Sequence, residues 1–278
     1  MLRKFALSSA AYSRYKLDRA VRHAALAGYS GIGIIADAPH GYPPSLTDAD
    51  RKAVRSVLAR QRLAVSNINA APMTALRDEL RPSWVESDRV LRQERIQHTL
   101  DAARLAKDLG AVTVSTLGGG EIEEEMDRPT AAAHFVAGLK RVACEIAKKN
   151  YPPVLIDPQE GLLIETLPQA LEIADQFKPD AVGVNVNTGN FHRAGQDAAA
   201  AIRELRERVR HVHIEDVAAD GSGAIVVPGT GQVDFAPVFA AVDEVGYTGW
   251  LTIDLAGADA HPDDAARQAL EFLRQFDK

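Results

Sequence analysis

Apolar positions along this chain repeat with two alternating periods. Short, nearly continuous apolar runs recur at FALSS (5–9), GIGIIA (31–36), LAVSNIN (63–69), AVTVSTL (111–117), PVLID (153–157), AVGVNVN (181–187), HVHIED (211–216) and WLTIDL (250–255). Runs of this kind predict parallel strands covered on both faces. Between them, apolar residues fall at helical spacing. Leu17, Ala20, Val21 and Ala24 form one stripe. Ile96, Leu100 and Ala103 form the next, stopping at Leu109-Gly110, and Phe135, Leu139, Val142 and Ile146 a third. Thr166 and Pro168 mark a helix start for Leu167, Ala170, Leu171 and Ala174. Ile202, Leu205 and Val209 follow, then Phe235, Val238, Phe239 and Val242 up to Gly246, and finally Ala266, Ala269, Leu270 and Leu273.

Eight strand–helix units predict a (β/α)8 barrel, a TIM barrel filling residues 1–278 as a single domain. A doubly wound sheet is the alternative, but SSAAYSRY after the first strand carries no Gly-rich dinucleotide fingerprint. The irregular stretch 70–94 is too long for a turn and follows strand 3. It is expected at the C-terminal face, as a lid or site wall. A second loop, GGGEIEEEMDRP (118–129), follows strand 4, and its acidic run reads as a solvated face.

Charge and composition narrow the partners. With 38 acidic and 32 basic residues the net charge is -6, and no Lys/Arg block stands out, so a nucleic acid is not expected. At 46% hydrophobic and 25% charged the chain has a soluble composition. No run approaches the roughly 18 apolar residues of a membrane span. The apolar core of MLRKFALSSAAYSRY is too short for a secretory signal, so a cytoplasmic protein is expected. The single cysteine, Cys144 in LKRVACEIAKK, allows no intrachain disulfide and reads as a small buried thiol.

In a barrel, reactive side chains sit at the C-terminal strand ends. Strand 5 ends in Asp157, strand 6 in Asn187 and strand 8 in Asp254, while strand 7 carries His213. Alternation puts His211, His213 and Glu215 on one side of strand 7. Two carboxylates, an imidazole and an amide oxygen make a candidate divalent-metal set suited to Mn2+ or Mg2+, with Co2+ and Zn2+ also compatible. The bland reading of a strand-end Asp is a helix cap.

The C-terminal half carries HVHIEDVAADGSG and VVPGTGQVDFAPVFAAVDEVGYTGWLTIDL, and the N-terminal half ALAGYSGIGI, RQRLAVSNINA and RLAKDLGAVTV. In these segments the sequence resembles the xylose isomerase-like TIM-barrel superfamily. That superfamily includes sugar phosphate isomerases and epimerases, ketose 3-epimerases, inosose dehydratases and endonuclease IV-like enzymes. The resemblance implies a metal held from strands 5 to 8. Its strand-5 Glu falls on Asp157, its strand-6 Asp on Asn187, its strand-7 His on His213 and its strand-8 Glu on Asp254. The substrate-side His after strand 6 falls on Asn190, and the Arg that often follows strand 7 has no counterpart in VAADGSG. Only His213 is kept. The resemblance also implies that Asp157 and Asp254 act as acid and base, and that the chain forms a homo-oligomer.

These changes have physical consequences. Each Asp is one methylene shorter than Glu, and Asn187 removes a negative charge from a metal site. Asn190 can bond a hydroxyl but cannot exchange protons. Candidates for the substrate side are Asn190, His192, His40, Asn69, Trp84 and Glu160. For several of them a bland alternative exists: His192 as a surface residue, Asn69 as a turn cap, Trp84 as a pin for the 70–94 segment, Glu160 as a helix-start glutamate. Gly229 and Gly231 read as requirements of a tight turn, and Asp216 as an anchor for the loop after strand 7. The function expected is a metal-dependent isomerase or epimerase of a sugar, keto-sugar or cyclitol, by proton transfer α to a carbonyl. The alternatives are a lyase or dehydratase using the same abstraction, and a silent barrel that binds a ligand or partner. An abasic-site endonuclease ranks last, because that class needs a histidine-rich zinc cluster.

Overall fold

The strand candidates close on one another. In a computed structural model of the chain, which describes residues 3–78, 80–257 and 261–277, eight parallel strands form a closed barrel. They are β1 (Lys4–Ser8), β2 (Gly31–Ile35), β3 (Ala64–Asn69), β4 (Val114–Leu117), β5 (Val154–Asp157), β6 (Val182–Asn187), β7 (Val209–Ile214) and β8 (Trp250–Ile253). Neighbours in sequence are neighbours in space, and β8 closes onto β1 through Lys4↔Trp250 to Leu7↔Ile253. This is the (β/α)8 barrel expected from the periodicity.

The helices are α1 (Leu17–Leu26), α2 (Asp48–Gln61), α3 (Arg89–Leu109), α4 (Arg128–Lys149), α5 (Leu167–Ala174), α6 (Thr188–Arg193), α7 (Ala198–Leu205), α8 (Phe235–Glu244) and α9 (Pro262–Arg274). The stripe Leu17, Ala20, Val21 and Ala24 is the buried face of α1, and Phe135, Leu139, Val142 and Ile146 are buried in α4. Apolar faces of this kind hold helices on a barrel through the hydrophobic effect.

Three local expectations change. Helix α2 was not visible as a stripe, because DADRKAVRSVLARQ buries only Val57 and Leu58; its start is fixed instead by a Thr47–Asp50 capping box. Val209 opens β7 and does not extend α7. Cys144 is exposed on α4, so the thiol is not part of the core.

Two features shape the C-terminal mouth. The stretches 70–78 and 80–88 are irregular and are held by Arg95 of α3, whose guanidinium donates to the carbonyls of Pro82, Ala70 and Ala71 at 2.7, 2.7 and 2.9 Å. After β7 a short antiparallel hairpin pairs Asp216–Val217 with Ile225–Val226. Asp216 secures the chain beyond it, accepting from the amides of Val217, Gly229, Gly231 and Val233 at 2.9 to 3.0 Å. A Cβ on Gly231 would lie 2.3 Å from Asp216 Oδ1, which is why this position needs glycine. No helix among the described residues is long and apolar enough to cross a membrane.

Candidate active site

Side chains alternate along each strand, and register across β6, β7 and β8 lines the inward ones up. Asn185 pairs with His211, Asn187 with His213, and Thr252 with His213. The inner wall is therefore polar and buried: Asp157, Asn185, Asn187, His211, His213, Glu215, Thr252 and Asp254 are each at most 9% exposed. Buried polar groups need partners, and most of these find them in one another.

Asp157 ends β5. Its Oδ2 accepts from Asn185 Nδ2 at 2.7 Å and its Oδ1 from Asn190 Nδ2 at 3.2 Å. Burial pushes its carboxyl up to about 7. The charges of Glu215 and Asp254 push the same way, while the two amide hydrogen bonds pull against them. The same Asn185 Nδ2 lies 2.8 Å from His213 Nδ1. An amide N–H can only donate, so His213 Nδ1 is the acceptor and the ring is neutral with its proton on Nε2. Burial brings His213 down to about 4, in keeping with a neutral ring. His211 stacks edge-on beneath it, with centroids 4.8 Å apart. Burial and then His213 hold His211 well below the usual histidine value, and neither of its ring nitrogens has a partner among the described residues.

Asn187 ends β6 and caps α6. Its Oδ1 accepts from the amides of Gly189 and Asn190 at 2.9 and 3.1 Å, and its Nδ2 donates to Glu215 Oε2 at 3.0 Å. Both ends of the side chain are therefore in use, in the manner of a helix cap. Asn190 follows one turn on. It donates to Asp157 and accepts from Arg193 Nη2 at 2.7 Å. Arg193 also forms an ion pair with Glu215 Oε1 and donates from Nη1 to the carbonyl of Gly223 at 3.1 Å. Asp254, just beyond β8, accepts from the amide of Ala256 at 3.0 Å, and its own amide donates to Ile214 at 2.9 Å.

Of the predicted site residues, Asp157, Asn187, Asn190 and His213 join this network, and Asp254 stands close enough for its charge to act on Asp157. Asn69 ends β3 with its Oδ1 capping the turn at Ala71 at 2.9 Å. The other four substrate-side candidates lie outside this network. His40 is buried with its Nε2 3.1 Å from the carbonyls of both Tyr12 and Tyr15, so its ring fastens the 3-10 turn after β1. Trp84 is 1% exposed. Its Nε1 donates to Thr116 at 3.1 Å and its ring meets Phe135 edge-on, so it pins the 80–88 stretch to α4 and is closed to a sugar face. Glu160 is exposed on a turn beside Gly161 and starts no helix. His192 lies two residues past Asn190 in α6, about 200° around the helix from it, and so points away from the network.

Residues that sequence reasoning left out of the site complete it: Asn185, Glu215 and Arg193. Alternation was the available signal for the first two, since Asn185 stands two before Asn187 and Glu215 two after His213. Arg193 had none until α6 was known to be a helix. A cavity of about 980 Å³ lies at the opposite end of the barrel, lined by Lys4, Arg206, Arg210, Tyr247 and Trp250 among others. It shares no residue with the network, and catalytic groups of (β/α)8 barrels gather at the C-terminal end of the strands.

Comparison with known proteins follows the same lines. The family model described as xylose isomerase-like TIM barrel matches residues 21–276. An inosose dehydratase of Geobacillus thermodenitrificans (strain NG80-2) is 23% identical over 291 residues, covering 93% of this chain and 89% of that one. The chain spans about half the length of several other inosose dehydratases it matches. Among solved structures, apo 3-keto-D-glucoside 4-epimerase (YcjR) of E. coli superposes with a TM-score of 0.80 at 15% identity, over 98% of this chain and 99% of that chain. The IolI protein with a bound zinc atom gives 0.79 at 17% identity, over 98% and 97%. At these identities the structural likeness concerns the fold.

Proposed function

Because the chain belongs to the xylose isomerase-like TIM-barrel family, we propose that it modifies a small sugar, keto-sugar or cyclitol by moving a proton on and off a carbon next to a carbonyl. The observation that carries this reading is the bridging of Asp157 and His213 by one amide at the C-terminal end of the barrel. A carboxyl fixed in direction, buried, and titrating near neutrality is suited to take a proton and return it. Asp157 as carboxylate removes the α-proton, and the electron pair left behind becomes an enediolate. Asp254 is the second acid/base group, and Asn190 and Asn69 are the residues proposed to hydrogen-bond substrate hydroxyls. Return of the proton to the same carbon from the other side gives an epimer, and to the neighbouring carbon an isomer.

A second reading, dehydration, is favoured by the inosose dehydratase relative that spans most of this chain. It begins with the same abstraction and ends with loss of a β-hydroxyl as water.

The resemblance also implies a divalent metal, and the zinc-bound IolI structure supports one in a relative. The residues present here do not fit that role as placed. Asn187 has its oxygen on α6, the Asp157 oxygens face amide donors, and His213 Nδ1 accepts from Asn185. Among the described residues no three His, Cys, Asp or Glu converge as a metal site.

The test is deuterium uptake from D2O at the α-carbon of ketohexoses and inososes, followed by proton NMR. Protein-dependent uptake that is lost in Asp157→Asn is expected. Uptake equal to a protein-free control with every substrate, or unchanged in the variant, would sink the proposal. An absorbing unsaturated ketone among the products identifies the dehydratase branch.

A further inference from the structure

Asn185 makes both of its side-chain bonds from one end. Its Nδ2 serves Asp157 and His213, while Oδ1, turned the other way, is buried with no hydrogen-bond partner among the described residues. Rotated about Cβ–Cγ, the same amide would set its oxygen against the Asp157 carboxylate. Whatever holds Oδ1 in place therefore also holds Asp157 and His213. Buried polar atoms without a partner are rare, and each calls for an explanation. The neighbour of Asn185 is His211, its ladder partner across β6 and β7. Neither nitrogen of the His211 ring has a partner either. A neutral imidazole carries one N–H and one lone pair. Edge-on packing against His213 fixes the plane of the ring, and no direct bond to Asn185 forms. An oxygen in need of a donor thus stands beside a donor in need of an acceptor.

We propose that His211 holds a buried water molecule that bridges its ring to Asn185 Oδ1, and that this bridge fixes the Asn185 amide and, through it, the Asp157 carboxyl and the His213 tautomer. The water accepts from the ring N–H and donates to Oδ1. His211 is then a positioning residue, acting on Asp157 through Asn185. The surroundings suit a water. Gly33, Ser66 and Thr252 meet inside the barrel: Ser66 Oγ and Thr252 Oγ1 are 2.9 Å apart, and a Cβ on Gly33 would lie 3.0 Å from Thr252 Cγ2. Barrel interiors are commonly filled by bulky branched side chains, and these three are small. Thr252 stands on β8, the strand next to β7. Within the Ser66–Thr252 pair one hydroxyl donates to the other, which leaves one hydroxyl proton over for a further acceptor. Buried waters typically make about three hydrogen bonds, and His211 and Asn185 account for two. His211, Asn185, Ser66 and Thr252 are fully buried, so bulk solvent does not satisfy them. The bridge adjoins the site assigned to proton transfer above, but its test reads hydrogen bonding and not turnover, so either can fail alone.

The experiment compares the full-length wild type with His211→Leu and His211→Gln. Leucine occupies the space of the ring without a donor, and glutamine restores an N–H. Nitrogen-15 NMR of the histidine rings reads the tautomer of His213, and oxygen-17 relaxation dispersion counts the waters held inside each protein. The wild type is expected to show His213 protonated on Nε2 and accepting at Nδ1. His211→Leu should lose a long-lived water and mix the two neutral tautomers of His213. His211→Gln should keep the wild-type tautomer. An unmixed His213 tautomer in His211→Leu overturns the proposal, as does a water count equal to that of wild type, or a His211→Gln protein that behaves as His211→Leu does. If neither variant folds, a high-resolution crystal structure of the wild type decides. A water within hydrogen-bond distance of both the His211 ring and Asn185 Oδ1 upholds the proposal, and a dry contact there refutes it.

Discussion

Asn185 holds Asp157: its Nδ2 donates to Asp157 Oδ2 at 2.7 Å across β6 and β5, and the same nitrogen serves His213 Nδ1 at 2.8 Å. One amide thus sets the direction of a carboxyl and the tautomer of an imidazole. Replacing Asn185 by Leu leaves both buried acceptors without that donor. Unfolding free energy should fall by about 1–3 kcal/mol, and deuterium uptake should fall further than the stability loss accounts for. Chemical denaturation beside the exchange assay checks both. An active Asn185→Leu protein of wild-type stability would show that the bridge is idle.

The pH dependence of stability should carry the signature of Asp157. Its folded value is raised by burial to about 7, against about 3.9 for an unfolded Asp. Between those values the folded state binds more protons than the unfolded one, so the stability this group contributes is full below about pH 4 and is lost as pH rises through about 7. His213, lowered by burial to about 4, acts in the opposite sense: its contribution is present above the unfolded value and is lost as pH falls through about 4. Subtracting the stability curve of Asp157→Asn from that of wild type isolates the first effect. The difference should decline from about pH 4 to about pH 7 and then level off. A flat difference would place the Asp157 carboxyl in the ordinary range.

Asp216 accepts four backbone N–H groups, so Asp216→Ala should cost several kcal/mol, on the order of 1–3 per orphaned donor that water does not reach. Gly231→Ala attacks the same loop from the other side, because its Cβ would press on the Asp216 carboxylate. The two losses should not add, since both act on one contact region. A double-mutant cycle in urea measures this, and full additivity would mean the two residues act separately.

Trp84→Phe separates pinning from sugar stacking. The indole is buried on Phe135 with its N–H on Thr116, so the variant loses that bond and some packing, and stability should drop by about 1–2 kcal/mol. KM for any substrate that shows exchange should stay near the wild-type value. A KM raised tenfold at unchanged stability would restore Trp84 to the substrate side.

Legibility differed by element. Strands β5 to β8 were readable because their apolar runs are nearly continuous, and the positions of Asp157, Asn187, His213 and Asp254 because those residues lie at or near strand ends. Helix α2 was hidden by a surface that is charged nearly all round. The 70–94 stretch lost its last residues to α3, since its apolar residues serve loop anchoring as well as a helix face. His40, Trp84, Glu160 and His192 read alike as substrate-side candidates, because a sequence does not record which partners a side chain already has.

The sequence by itself determined the barrel, its order of strands, and which strands supply polar inward positions, because those follow from periods of two and 3.6 that any local stretch displays. Only the tertiary structure decided what those residues do. Asn187 caps α6 because Gly189 and Asn190 turn their amides onto its oxygen. Arg193 enters the site because α6 is a helix and Glu215 faces it from β7's far end. Hydrogen bonds between groups far apart in the chain are settled by geometry and burial, and no local pattern encodes them.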